Sequence, residues 1–202
     1  MVDILLIRHG ENDMLRNKLA GRLPNVHLNE NGQAQARRLA EEFSAMPVKA
    51  VFSSPLERAQ ETAQPIAQSQ NLEVEILPAL IEIDFGKWAG KNIKQLKRGR
   101  FWNTVQEKPS EFQFPGGERF VDAQERVVNG LISLSERFAE KDLVVCVSHS
   151  DVIRLAVAYF LGMSLDHFQR LRIRPASVTA LTLNEGKGYF GPINQSFSEI
   201  KI

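Results

Sequence analysis

Two short apolar runs in this chain end in the same way. Ile4-Leu5-Leu6-Ile7 leads into Arg8-His9-Gly10-Glu11, and Val144-Val145-Cys146-Val147 leads into Ser148-His149-Ser150-Asp151. A short apolar run without polar alternation reads as a strand buried on both faces. Such strands need helices on either side, and the segments between them supply the pattern. Helical periodicity covers 30–43, 54–68, 118–139 and 151–161, with further strands at 50–52, 74–77 and 178–183 and a hairpin return from 189. Strands alternating with helices predict an α/β fold of three layers, α/β/α, with helices on both faces of a mainly parallel sheet. In an open sheet of this kind ligands bind beyond the carboxyl ends of the strands. His9 and His149 fall there. A single histidine in that place is most often structural. Two at equivalent strand ends, one flanked by Arg8 and Gly10, point to a site.

The segment after the second strand has distinct helix-start chemistry. Ser54 can cap, Pro55 suits the first helical position, and Glu57 completes a capping box. Pro65 falls inside that helix and should bend it. Arg58 stands near the start of the same helix with Thr62 four residues on, on one face. Two arginines and the amides of a helix start would make a phosphate cradle. Residues 118–139 bring Phe120, Val127, Leu131, Leu134 and Phe138 to one face. Between these helices, residues 81–117 are irregular, with Gly116-Gly117 near their end, and an excursion of that length is more often functional than idle. No linker or repeat interrupts the 202 residues. They read as one domain, 1–202, with a lid-like excursion at 81–117 and a less certain tail from 192.

Composition excludes several classes. Lys plus Arg is 25 and Asp plus Glu 24, a net charge of +1, which argues against nucleic acid as the main partner. One cysteine rules out an internal disulfide, and Cys146, inside an apolar run, reads as a small buried hydrophobe. There is no apolar stretch long enough for a membrane span and no recognisable leader, so the expected setting is the cytoplasm. The four histidines, His9, His27, His149 and His167, have no paired ligand spacing, so no metal is expected, nor any other cofactor. The basic residues Lys87, Lys91, Lys94, Lys97, Arg98 and Arg100 read as a solvated face, with a cationic lid as the alternative. Phe101, Trp102, Phe112 and Phe114 read as a small packing cluster. The residues do not specify the oligomeric state.

Five pieces, in order, resemble the histidine phosphatase, or phosphoglycerate mutase-like, superfamily. They are Leu6-Ile7-Arg8-His9-Gly10-Glu11, Ser54-Pro55-Leu56-Glu57-Arg58-Ala59 with Thr62-Ala63, and Glu82-Ile83-Asp84-Phe85-Gly86-Lys87-Trp88-Ala89-Gly90. Pro115-Gly116-Gly117-Glu118 and Val147-Ser148-His149-Ser150-Asp151-Val152-Ile153-Arg154 complete the set. The resemblance implies a phosphoglycerate mutase-like fold and a phosphohistidine mechanism. His9 would attack phosphorus. Arg8, Arg58 and His149 match phosphate-pocket residues, and Glu82 matches the carboxyl group that protonates the leaving oxygen and then activates water. Ser150, Asn17, Gly21 and Arg22 are further candidates for phosphate or substrate contact. The chain departs from the family at Leu15, where an asparagine is usual, and at Arg119, where serine is usual.

Phosphoryl transfer needs an in-line nucleophile and positive charge on the equatorial oxygens, which arginines supply without a metal. The expected activity is therefore a metal-independent phosphomonoesterase acting on a small anionic phosphorylated metabolite. A cofactor-dependent phosphoglycerate mutase is the alternative, and a catalytically inactive binding module the third reading. The mutases of the family carry His-Tyr-Gly after the Glu82-equivalent position and a longer insertion. Here the chain reads Ile83-Asp84-Phe85-Gly86, and 29 residues, 87–115, precede Gly116. That resembles the compact phosphatase branch.

Overall fold

The computed structural model describes residues 1–15 and 17–197. Its centre is a six-stranded sheet: β1 (Val2–Arg8), β2 (Val48–Ser53), β3 (Val74–Ile76), β4 (Leu143–Ser148), β5 (Val178–Asn184) and β6 (Lys187–Phe190). The order is β3-β2-β4-β1-β5-β6. The first four strands in that order are parallel; β5 and β6 close one side as an antiparallel pair. The mainly parallel sheet expected from the alternating pattern is what forms.

Period-two alternation divides the apolar runs between two cores. On one face Ile4, Leu6, Val144 and Cys146 meet α5 (Phe120–Ser135) and α6 (Ser150–Phe160). On the other, Ile7, Val51, Val145 and Val147 meet Leu39 and Phe43 of α1 (Glu30–Phe43) and Ala59, Ala63 and Ile66 of α2 (Glu57–Ser69). Both faces of the sheet are covered, which is why its strands read as unbroken apolar runs. Burial also explains Cys146. It is inaccessible, and desolvation pushes its thiol far above the ordinary range.

Two helix boundaries differ from the sequence expectation. Residues 118–139 narrow to Phe120–Ser135, because the Glu118 carboxylate is engaged elsewhere and 139–142 form a turn closed by Asp142 on the Ala139 amide, 2.9 Å. The expected capping box at Ser54 does not form. Leu56 holds the cap position with no side-chain bond, and the Ser54 hydroxyl instead meets the His149 ring at 2.8 Å. Glu57 accepts from the Asn25 amide. A cap-like sequence serves the site instead. The helix runs through Pro65 to Ser69.

The excursion folds as short 3-10 turns with α3 (Ile93–Leu96) and α4 (Trp102–Glu107). Its aromatics pack edge to face, Trp88 on Phe114 and Phe112 on Phe114, and Phe114 meets Phe120 of α5 in a tilted contact, with centroids 5.1–5.5 Å apart. Phe112 and Phe114 are buried in this cluster, while Phe101 is exposed beneath the Arg100 guanidinium. Within the tail from 192 that reads as less certain, the end of the described chain is anchored. Val178 and Gln195 exchange backbone bonds of 2.8 and 2.9 Å, and Phe197 packs on Phe43. The rest of that tail, 198–202, lies outside the described residues. Among the described residues no helix is long and apolar enough to cross a membrane.

Candidate active site

β1 and β4 are neighbours in register, Arg8 opposite Ser148. The residues just beyond each strand therefore emerge side by side at the carboxyl edge of the sheet. The rings of His9 and His149 lie 5.2 Å apart. The two similar strand endings noted in the sequence are two walls of one site.

His9 is 5 % exposed. Its Nδ1 lies 2.7 Å from the Gly10 carbonyl, which can only accept, so Nδ1 carries the proton and Nε2 presents a lone pair. Burial first, then the charges of Arg58 and Arg8, hold this imidazole well below its ordinary pKa. The neutral imidazole, with Nε2 unprotonated, is the favoured form. Gly10 is required by contact. A Cβ there would stand 2.7 Å from the Gly32 carbonyl oxygen, and one on Gly32 would collide with the Glu11 carbonyl. Two facing glycines let the start of α1 abut the loop that carries His9. The Gly10 amide in turn donates to Thr62, whose hydroxyl donates to the Arg58 carbonyl.

Arg58 is the largest fully buried side chain, at 1 % exposure. Its Nη2 donates to the Gly21 carbonyl at 2.7 Å, and its Nε points at His9 Nε2 at 3.4 Å. Arg8 donates from Nη1 to the Ile173 carbonyl at 2.7 Å. Nη1 of Arg58 and Nε of Arg8 are buried without a hydrogen-bond partner. Unpaired guanidinium donors in such a place suit an anion with several acceptor oxygens. Burial lowers the pKa of Arg8 to about 10, which leaves it charged at neutral pH.

A cavity of about 250 Å³ opens over these groups, and Arg8, His9, Gly21, Arg58, Glu82 and Ser150 all line it. His149 does not. It is fully buried behind Arg58, with Arg58 Nη2 3.3 Å from its Nδ1 and Ser54 Oγ 2.8 Å from its Nε2. A guanidinium only donates, so Nδ1 accepts and Nε2–H donates to Ser54. His149 thus holds Arg58 in place in this arrangement. Asn17 is exposed and outside the cavity; its carbonyl accepts from the Ile93 amide. Arg22 also stands outside the cavity wall, donating to the Glu82 carbonyl at 2.8 Å and pairing with Glu118 at 2.8 Å. His27 is exposed, paired with Glu61, and His167 is exposed. The six basic residues between 87 and 100 are all exposed and line neither this cavity nor its neighbour.

Glu82 is 8 % exposed and is held by a frame of distant pieces. Gly117 packs under the Asp84 carbonyl so closely that a Cβ would collide with it. The Glu118 amide donates to that carbonyl, and the Asp84 amide donates to the Glu118 carboxylate. Arg126 grips Glu118 through two nitrogens at 3.2 Å and donates to the carbonyls of Ala79 and Ile81 at 2.7 and 2.9 Å. Glu118 and Arg126 thus fix the 3-10 turn Pro78–Leu80 and the residues after it that carry Glu82. Burial, then the Asp151 carboxylate, push the Glu82 pKa up to about 7 against the pull of Arg58.

That shift carries a consequence for stability. The folded chain keeps a proton on Glu82 between the ordinary value of 4.5 and about 7, where the unfolded chain releases it. The neutral acid's contribution is therefore intact below pH 4.5 and is lost as pH rises through 7. Glu82→Gln should match wild type at pH 4 and exceed it at pH 8 by about 2–3 kcal/mol. Urea unfolding at the two pH values checks this; an equal difference at both would mean that buried charge is not the cause.

Sequence reasoning passed over Asn12, Lys18 and Asp151, all in the cavity wall. Asn12 is buried with its Oδ1 on the Met14 amide, and nothing in a polar loop distinguishes it from its exposed neighbours. Asp151 reads as an ordinary acidic residue in a first helical turn. Its place one residue after Ser150, next to the second histidine, was the available signal. Among the described residues no group of three or more His, Cys, Asp or Glu side chains could hold a metal ion.

The family model for the histidine phosphatase superfamily (branch 1) matches residues 4–195. A 2,3-bisphosphoglycerate-dependent phosphoglycerate mutase of Thermoplasma acidophilum is 35% identical over 184 residues, 91% of this chain and 88% of the relative. Phosphoserine phosphatase 1 of Hydrogenobacter thermophilus is 31% identical over 196 residues, 96% and 92% of the two chains. Among solved structures, YhfR of Bacillus stearothermophilus superposes with a TM-score of 0.88 at 26% identity, covering 96% of this chain and 97% of its own. A phosphoserine phosphatase of Entamoeba histolytica, in complex with 3-phosphoglyceric acid, gives 0.85 at 26% identity and 98% of each chain.

Proposed function

This chain belongs to the histidine phosphatase superfamily (branch 1), and we propose that within it the protein is a metal-independent phosphomonoesterase acting on a small phosphorylated substrate through phosphohistidine on His9. The observation that carries this reading is one cavity lined by an unprotonated His9 Nε2, by Arg58 and Arg8 with buried, unpaired donors, and by the buried Glu82 carboxyl group, pushed up to about 7. In the first step the Nε2 lone pair attacks phosphorus and the ester P–O bond breaks. Its electrons pass to the leaving oxygen, which takes the Glu82 proton. In the second, the Glu82 carboxylate removes a proton from water, the water oxygen attacks phosphorus, and the N–P bond breaks to release phosphate and neutral His9. The guanidinium groups of Arg8 and Arg58 neutralise charge on the equatorial oxygens, which is the electrostatic task a metal performs elsewhere.

The Thermoplasma relative favours a second reading, the mutase. A mutase must keep the phosphoenzyme from water until product rebinds. The short excursion and the end of the described chain give little to shield it, because Phe197 packs on α1 against the opposite face of the sheet from the excursion. Incubation with 3-phosphoglycerate, following free phosphate and 2-phosphoglycerate together, separates the two readings. Phosphate release should outrun interconversion, with or without added bisphosphoglycerate, and EDTA should leave the rate unchanged. Interconversion well ahead of phosphate release would make the protein a mutase. A large loss in EDTA restored by magnesium would remove metal independence.

A further inference from the structure

Beside the catalytic cavity lies a second one of about 260 Å³. The two share Leu19, Phe85, Asp151 and Arg154, so they adjoin. The rest of the second wall is chiefly apolar and comes from the excursion and the start of α5: Trp88, Trp102, Val105, Phe114 and Phe120. We propose that this cavity receives the leaving group of the substrate, and that the group it accepts is aromatic or similarly bulky and apolar. This rests on the phosphomonoesterase reading above and adds the class of substrate.

Three observations support the assignment. First, the only charged side chains in the wall, Asp151 and Arg154, neutralise each other through a contact of 2.9 Å. A leaving group with a carboxylate or a second phosphate would meet the Asp151 carboxylate beside one already paired cation, on which Nε alone is buried without a partner, and the basic residues of 87–100 line neither cavity. Second, polar partners are few. Gln106 and Gln169 are the uncharged polar side chains in the wall, and the Gln169 amide nitrogen already donates to the Val105 carbonyl at 2.9 Å. A polyol would bury most of its hydroxyls against ring faces and phenyl edges, with the two indole N–H groups as the only ring donors. Third, the aromatic walls are braced. Trp88 meets Phe114, and Phe114 meets Phe120, in edge-to-face or tilted contacts, so a flat apolar group meets a preformed slot. Arg8 and Arg58 would hold the phosphoryl end while the ester's organic body turns into the slot.

The test compares ethyl phosphate with 2-(1-naphthyl)ethyl phosphate, whose leaving alkoxides are of similar basicity, so that chemistry at phosphorus is held constant. The naphthyl ester should have a kcat/KM at least about tenfold higher, from apolar surface buried. The matching non-hydrolysable phosphonates, titrated by calorimetry, should differ by a similar factor in affinity. Both tryptophans of the chain line this cavity, so the naphthyl phosphonate should change tryptophan emission and ethylphosphonate should not. Trp102→Ala, at a half-buried position, should reduce the preference in both turnover and binding. Equal affinity for the two phosphonates, or discrimination without a change in tryptophan emission, would overturn the assignment. Discrimination between phosphonates with no phosphate released from either ester would instead overturn the phosphomonoesterase reading and leave the assignment of the cavity standing.

Discussion

Replacement of His9 by alanine should lower phosphate release by on the order of 10⁴–10⁶-fold, the scale seen when a covalent nucleophile is removed. The fold should survive. The imidazole is buried, but it makes one hydrogen bond, to the adjacent Gly10 carbonyl, and a long contact with Arg58. Its removal leaves Arg58 still tied to the Gly21 carbonyl and to His149. Thermal unfolding should therefore stay cooperative while activity disappears. Rapid quench of the wild type with labelled substrate into alkaline detergent should trap a phosphoryl group that is stable in base and lost on later exposure to acid, as a phosphoramidate is, and the alanine variant should trap none. An active alanine variant would assign the attack to another group. A label stable in acid would do the same, since a serine ester has that property.

The residues behind this prediction were legible because strand ends are legible. A buried parallel strand announces itself as an apolar run, and the residues just past its end lie at the carboxyl edge of the sheet. Arg8, His9 and His149 were found in that way, and Arg58 from a strand-turn-helix that delivers it to the same edge. Adjacency could not be read. Nothing in residues 4–9 and 144–149 says that β1 and β4 pair directly, which is what brings the rings to 5.2 Å. Nor could competition for side chains be read. Ser54 has the pattern of a helix cap, and only the folded chain shows its hydroxyl engaged by His149. Arg22 looked like a substrate contact because it comes after His9 on a loop. In three dimensions it braces Glu82 and Glu118 from outside the cavity. Arg126, six residues into α5, had no local mark at all, since its partners are carbonyls almost fifty positions earlier. The aromatic slot was equally hidden. Its rings read as a packing cluster, which they are, and the space they leave beside the catalytic cavity depends on how the excursion folds back over α5 and α6.

Glu82→Gln should divide substrates by the basicity of what they release. An alkoxide needs a proton as it departs, and general-acid help of that kind is worth on the order of 10²–10⁴-fold. A nitrophenolate departs with little help. The variant should therefore lose about 10²–10⁴-fold on an alkyl phosphate and far less on 4-nitrophenyl phosphate in the phosphorylation step, read as kcat/KM. Dephosphorylation is different, because in the proposed mechanism Glu82 is the base toward water whichever group has left. Steady-state kcat on the aryl ester should fall with it, and a burst of nitrophenol should appear as phosphoenzyme accumulates. The pH profile supplies an independent check. With the Glu82 pKa near 7, the acid form needed for alkyl esters is depleted above that pH, so kcat/KM should decline on the alkaline side. His9, held neutral by burial and by two guanidinium charges, should give no matching loss on the acid side within the ordinary imidazole range. In the glutamine variant the alkaline decline should vanish. Equal losses of kcat/KM on both esters, or an alkaline limb that persists without Glu82, would transfer the acid role to Asp151. That carboxylate also lines the cavity, and its charge already helps to set the Glu82 pKa.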